Sequence, residues 1–152
     1  MAISPQRLTI YLYSAHRAVI FAIAQLSFYA TVIRPVLEYA CPVWHSGLTI
    51  EHRNRLEAIQ KRVFRIIFGA SDYLDSCIAN GYSTLHERRD LLSRQLFHRV
   101  LNESSCLNYL LPDKRSDAIT DKLRHASIFK LPHVRTTRFK TSFVNYAIDH
   151  YL

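Results

Sequence analysis

A chain of 152 residues with 49% hydrophobic side chains can bury a sizeable core, either as one ordinary domain or as two small helical subdomains, and this composition excludes intrinsic disorder. Only 3 Gly and 5 Pro punctuate it, which argues against many short strands joined by tight turns and predicts a mainly α fold, an irregular helical bundle of about four to six helices with a long loop before the last one. The net charge of +8 rests on 15 Arg and 5 Lys against 12 acids, a balance suited to phosphate because the planar guanidinium binds it in a fork and also stacks on bases.

Ser4-Pro5 reads as an N-cap followed by proline at the first helical position. An apolar stretch follows from Leu8 to Ile33. Its longest uncharged part, Ala18 to Ile33, has 16 residues, short of the roughly 20 that a membrane helix needs. Arg17 also interrupts any signal-peptide core, so a buried helix is expected here and a membrane is not expected as a partner. Arg34-Pro35 should break or kink this helix, since proline lacks a donor and crowds the preceding turn. A shorter helix then runs through Leu37 and Tyr39 to the region of Cys41-Pro42, after which Val43, Trp44 and Leu48 dock a loop on the core.

Thr49 is the expected N-cap of the next helix, with Glu51 near its positive end and Gly69 at the C-cap position. Leu56, Ile59, Val63 and Ile66 recur at spacings of three and four and predict the buried stripe. Arg55, Lys61, Arg62 and Arg65 fall on the opposite side, offset only by Glu51 and Glu57. A turn-rich linker is expected from Ala70 to Ser83. Thr84-Leu85-His86-Glu87 forms a capping box that opens a helix through Leu92, Leu96 and Val100, stopping near Asn102. Residues 113–138 read as a loop with recurring cations, and Thr137 to Leu152, with Phe139, Phe143, Tyr146 and Ala147 at helical spacing, as the closing helix. At that junction Arg135, Arg138 and Lys140 are interleaved with hydroxyl and aromatic groups, a mix suited to phosphate contacts and base stacking.

Chemistry is harder to find. A polymerase metal box needs two adjacent aspartates on a hairpin, because two magnesium ions must bridge the attacking hydroxyl and the nucleotide phosphates. Tyr73-Leu74-Asp75-Ser76 has serine in place of the second and no flanking strand, so Asp75 is not expected to be catalytic. The histidines are scattered and read as surface or helix-end residues. Cys41, Cys77 and Cys106 are too widely spaced for a zinc site or a disulfide framework, and an intracellular compartment, nuclear or cytoplasmic, is the expectation. No catalytic residue, metal or cofactor is predicted.

The segments LSFYATVIRPVLEYACPVWHSGLT, KRVFRIIFG, STLHERRDLL, VLNESSCLNYLLPDKR and RTTRFKTSFVNYAIDHYL, in this order and spacing, resemble the carboxyl-terminal region of non-LTR retrotransposon reverse transcriptases of the jockey/CR1 type. The resemblance implies a thumb-like helical segment over 26–70, which in that family holds the template–primer duplex, and a helical tail over 71–152. Residues 1–25 form a helical segment that the resemblance does not cover. It further implies a remnant without the catalytic palm, whose carboxylates have no counterpart here, so that the partner would be RNA or an RNA–DNA duplex and the activity at most binding. Apolar surface that once faced the palm, one side of the Leu8–Ile33 helix with Tyr29, would favour self-association. Leu26 to Trp44 is also similar to a short segment at the start of AlkB-type tRNA hydroxylase/methyltransferases, but neither an S-adenosylmethionine pocket nor an iron triad has a signature. The alternatives are a helical protein-interaction module without nucleic-acid binding and a small membrane-associated protein using the Ala18–Ile33 helix.

Overall fold

The computed structural model describes residues 5–69, 72–116, 128–131 and 133–152, with side chains from residue 16 onward. The protein is mainly α, with no strand among the described residues. In chain order the helices are α1 (Pro5–Phe28), α2 (Arg34–Glu38), α3 (Cys41–Trp44), α4 (Ile50–Phe68), α5 (Tyr73–Ala79), α6 (Leu85–Val100), α7 (Thr137–Lys140) and α8 (Phe143–His150). Short pieces take the number above the expected four to six. The Ser4 cap and residues 117–127 and 132 of the expected loop lie outside the described residues.

The chain divides into two compact units, one of Met1–Tyr39 with Asn54–Leu85, the other of Ala40–Arg53 with His86–Leu152. In the first, the core is Tyr29, Phe64 and Cys77, packed round by Leu26, Ile33, Val63, Phe68, Tyr73 and Tyr82. The rings of Tyr29, Phe68 and Tyr82 all meet Phe64 edge to face, with centroids 5.5–5.6 Å apart, the arrangement that the ring quadrupole favours.

Pro35 does not break the helix, one of the two outcomes expected there beside a kink. It widens the helix instead: Tyr29–Ile33 is a π turn, in which the Arg34 N–H donates to the Tyr29 carbonyl. Proline cannot donate to a carbonyl four residues back, and one wider turn accommodates that loss without ending the helix. The Thr31 hydroxyl donates to the Ser27 carbonyl across the same turn at 2.8 Å. After α2, Ala40 adopts a left-handed backbone (φ 48°), the place where glycine usually ends a helix.

The expected caps of α4 hold. Thr49 Oγ1 accepts the His52 N–H at 3.3 Å, and Gly69 has φ 79°. The phase of its buried stripe does not hold: the buried residues are Gln60 and Phe64, while Ile59 and Ile66 are exposed. Hydrophobicity alone rotated the stripe the wrong way, because it has no means of counting a glutamine whose hydrogen bonds are all met inside.

The expected linker also contains α5, nucleated by Asp72, whose carboxylate accepts the N–H groups of Leu74 and Asp75. Tyr73 and Cys77, one turn apart, then face the core. Tyr29, expected to be exposed, is fully buried. The opposite correction applies to α1. Only 6% of the most apolar 18-residue window within His16–Glu38 is buried, and Val19, Ile20, Phe21, Ile23 and Phe28 stand in solvent. The expected buried helix is therefore an exposed one among the described residues.

In the second unit Phe97, Phe129, Ala147 and Ile148 form the core, with Leu101, Leu111, Phe143, Val144 and Tyr151 around them. Phe129 is carried in by an antiparallel bridge between Lys114 and Phe129, flanked by Arg115 N–H to Ile128 O at 2.8 Å and Lys130 N–H to Asp113 O at 2.9 Å. The closing helix is two helices, because Ser142 leaves the helical region (ψ 148°) and its hydroxyl turns back to the Phe139 carbonyl at 2.7 Å. Trp44 and His45 belong to α3 and a 3-10 turn (His45–Gly47) rather than to a loop, and Val43 is exposed instead of docked. Tyr151 anchors the chain end, donating to Asp90 Oδ1 at 2.7 Å under the Arg94 guanidinium.

Candidate nucleic-acid interface

α4 supplies the principal candidate surface. Arg55, Lys61, Arg62 and Arg65 are all exposed. At 100° per residue they span about 120° of the helix, away from Gln60 and Phe64. What fixes that face outward is the polar node beneath it. The Tyr29 hydroxyl donates to Gln60 Oε1 at 2.6 Å, and Gln60 Nε2 donates to Tyr73 Oη at 2.9 Å and to the Ser83 carbonyl at 3.0 Å. Every hydrogen-bonding group of this buried amide is thereby used, so a polar side chain sits in the core at little cost.

The same node controls the charge of the surface. Glu57, which the sequence places among the cations, is turned inward, where its Oε1 accepts the Tyr73 hydroxyl and, at 3.1 Å, the Leu85 N–H. Burial and this hydrogen bond to Glu57 push the Tyr73 hydroxyl well above its usual range, so it remains a donor at any physiological pH. The Lys61 ammonium lies 5.2 Å from the centroid of the Tyr73 ring, a cation–π contact made by a residue that remains exposed. The exposed isoleucines Ile59 and Ile66 adjoin Arg55 and Arg62 on the wheel, so the face is cationic with an apolar border.

Arg135, Arg138 and Lys140 are exposed in the other unit. The Thr136 hydroxyl caps α7 by accepting the Phe139 N–H at 3.3 Å, which holds Arg138 and Lys140 in one short turn. Lys140 also lines an open pocket of about 510 Å³ with Asn145, Tyr146 and His150. There the Tyr146 and His150 rings stack 4.0 Å apart at 14°. A cation beside a flat aromatic pair is the kind of surface that bases stack on. The two cationic sets belong to different units.

Asp75 is exposed in the first turn of α5, a helix rather than a hairpin, and its neighbour Ser76 is buried with its hydroxyl on the Asp72 carbonyl at 2.7 Å. Among the described residues no three His, Cys, Asp or Glu side chains converge as metal ligands would.

One cluster had no signal in the sequence. His45, expected at the surface or at a helix end, is 3% exposed, with its ring 5.1 Å from that of His86. Beside it Arg89, fully buried, stacks over Trp44 at 5.5 Å. Burial, reinforced by His86, Arg89 and Arg53 and opposed by Asp90, lowers the His45 pKa to about 4. Leu85, Arg89, Ser93, Phe97 and Val100 form the buried line of α6, and two polar members hide it from any hydrophobic count.

No protein family, curated protein or solved structure matches this chain.

Proposed function

We propose that the chain is a carboxyl-terminal remnant of a non-LTR retrotransposon reverse transcriptase, without the catalytic palm, whose residual activity is thumb-like binding of an RNA–DNA duplex. The observation that carries this reading is the α4 face. Four exposed cations share one side of a 19-residue helix; of the two acids that offset them, Glu57 is turned inward and Glu51 stays exposed in the first turn. Such a face meets a run of phosphates without disturbing the core behind it, and phosphate contacts of this kind position a duplex without reading its bases. The ordered resemblance of segments from Leu26 to Leu152 supplies the identity of the duplex. Catalysis is not part of the proposal, since Asp75 has serine beside it on a helix.

Fluorescence anisotropy with a labelled RNA–DNA duplex tests the reading. Three phosphate contacts give a log–log dependence of affinity on salt of about −3, indifferent to sequence. Affinity that does not respond to salt, or that favours one base sequence strongly, contradicts it. Primer extension with magnesium or manganese is expected to stay at background. Extension abolished by Asp75→Ala would overturn the assignment of a remnant.

A further inference from the structure

The exposed half of α1 has a property that nucleic-acid binding does not use. Val19, Ile20, Phe21 and Ile23 are all between 58% and 65% exposed. At 100° per residue they cover about 200° of the helix circumference. A docking groove or a second copy of the chain covers a stripe nearer 100° wide, so a protein partner on one side would leave much of this surface wet. A lipid phase meets a helix from every side that is pushed into it.

Charge selects the kind of lipid. No acid occurs before Glu38, whereas Arg17 stands exposed one turn before Phe21. On α4, within the same unit, Ile66 joins Ala24, Phe28, Ile33 and Val63 in lining an apolar groove of about 360 Å³, and the exposed Arg62 lies one turn before Ile66. Apolar side chains bordered by arginines match acyl chains beneath anionic headgroups, with the arginine stems reaching up to the phosphates.

The run His16–Glu38 is 23 residues and contains an 18-residue window of mean hydropathy 1.6, long and apolar enough by those measures to cross a bilayer. Its second half is otherwise engaged, since Tyr29 and Leu37 are buried and Tyr29 bonds to Gln60. Insertion into one leaflet keeps that packing, and a full crossing would destroy it. We propose that α1 inserts into the surface layer of an anionic membrane, with Val19, Ile20, Phe21 and Ile23 among the acyl chains and Arg17 and Arg62 at the headgroups.

Flotation of the full chain with vesicles of phosphatidylcholine containing about one-fifth phosphatidylserine tests the proposal, beside vesicles of phosphatidylcholine alone. The chain is expected to float with the anionic vesicles and several-fold less with the neutral ones or in high salt. Ile20→Ser/Phe21→Ser changes two exposed side chains, so the helical circular dichroism spectrum should persist while vesicle binding falls at least tenfold. Its duplex affinity should equal that of the unsubstituted chain, which separates this proposal from the nucleic-acid reading. Failure to float with either vesicle overturns the proposal, and a soluble dimer dissociated by the double substitution would assign the surface to a second copy instead. Equal flotation of the double variant overturns it as well.

Discussion

The hydroxyl of Tyr29 donates a 2.6 Å hydrogen bond to Oε1 of Gln60, at a point where neither residue is more than 1% exposed. This bond ties the π turn to α4 and sets which side of α4 faces out. Removing one partner strands the other in the core. Tyr29→Phe should therefore cost about 1–3 kcal/mol, and Gln60→Leu a similar amount through the abandoned Tyr29 hydroxyl and Ser83 carbonyl. Denaturant unfolding of both single variants and the double variant checks this. The double variant should be less destabilised than the sum, since neither partner is then left behind.

Much of the first unit was legible in the residues, and the missing parts have physical causes. The extent of α4 follows from Thr49 and Gly69, whose roles depend on local backbone chemistry alone. The membership of its cationic face was legible for the same reason, since long charged side chains leave the core wherever they can. Its phase was not, because Gln60 is buried by partners 13, 23 and 31 residues away. Likewise the inward turn of Glu57 depends on Tyr73 and Leu85, which no local pattern joins to it. The seven-residue α5 is too short to show a period and was marked only by Asp72. The exposure of α1 ran against composition altogether, since an apolar helix is expected to be buried unless something other than water surrounds it.

Acid should weaken the second unit through His45. Its pKa is about 4 in the folded chain, below its ordinary value of 6.5, so the unfolded chain takes up the proton first. Stability is then complete above pH 6.5 and falls as pH drops from there to about 4, by roughly 3 kcal/mol in all. Urea unfolding across that range should show the fall in the unsubstituted chain and a flatter profile in His45→Gln. Identical profiles would mean that other groups cause the acid sensitivity.

Backbone sign decides two further substitutions. Gly69 has φ 79°, and a Cβ built there meets nothing within 4 Å, so the penalty of Gly69→Ala is purely conformational, about 1 kcal/mol. Ala40, at φ 48°, is the converse, and Ala40→Gly should gain up to about 1 kcal/mol. Gly47→Ala, whose new Cβ would sit 3.9 Å from Thr141 Oγ1, should stay within about 0.5 kcal/mol of the unsubstituted chain. Thermal unfolding of the three variants gives the order directly, and a loss at Gly47 as large as that at Gly69 would refute the conformational argument.

The measurement that bears most directly on duplex binding is the salt dependence of affinity in Lys61→Gln/Arg62→Gln/Arg65→Gln. All three residues are exposed, and glutamine is a good helix former, so the circular dichroism spectrum should barely change. The account predicts weaker binding to every duplex sequence alike and a salt slope flattened from about −3 towards −1. Affinity and slope equal to those of the unsubstituted chain would show that this face is solvated surface and that the duplex, if held, is held elsewhere.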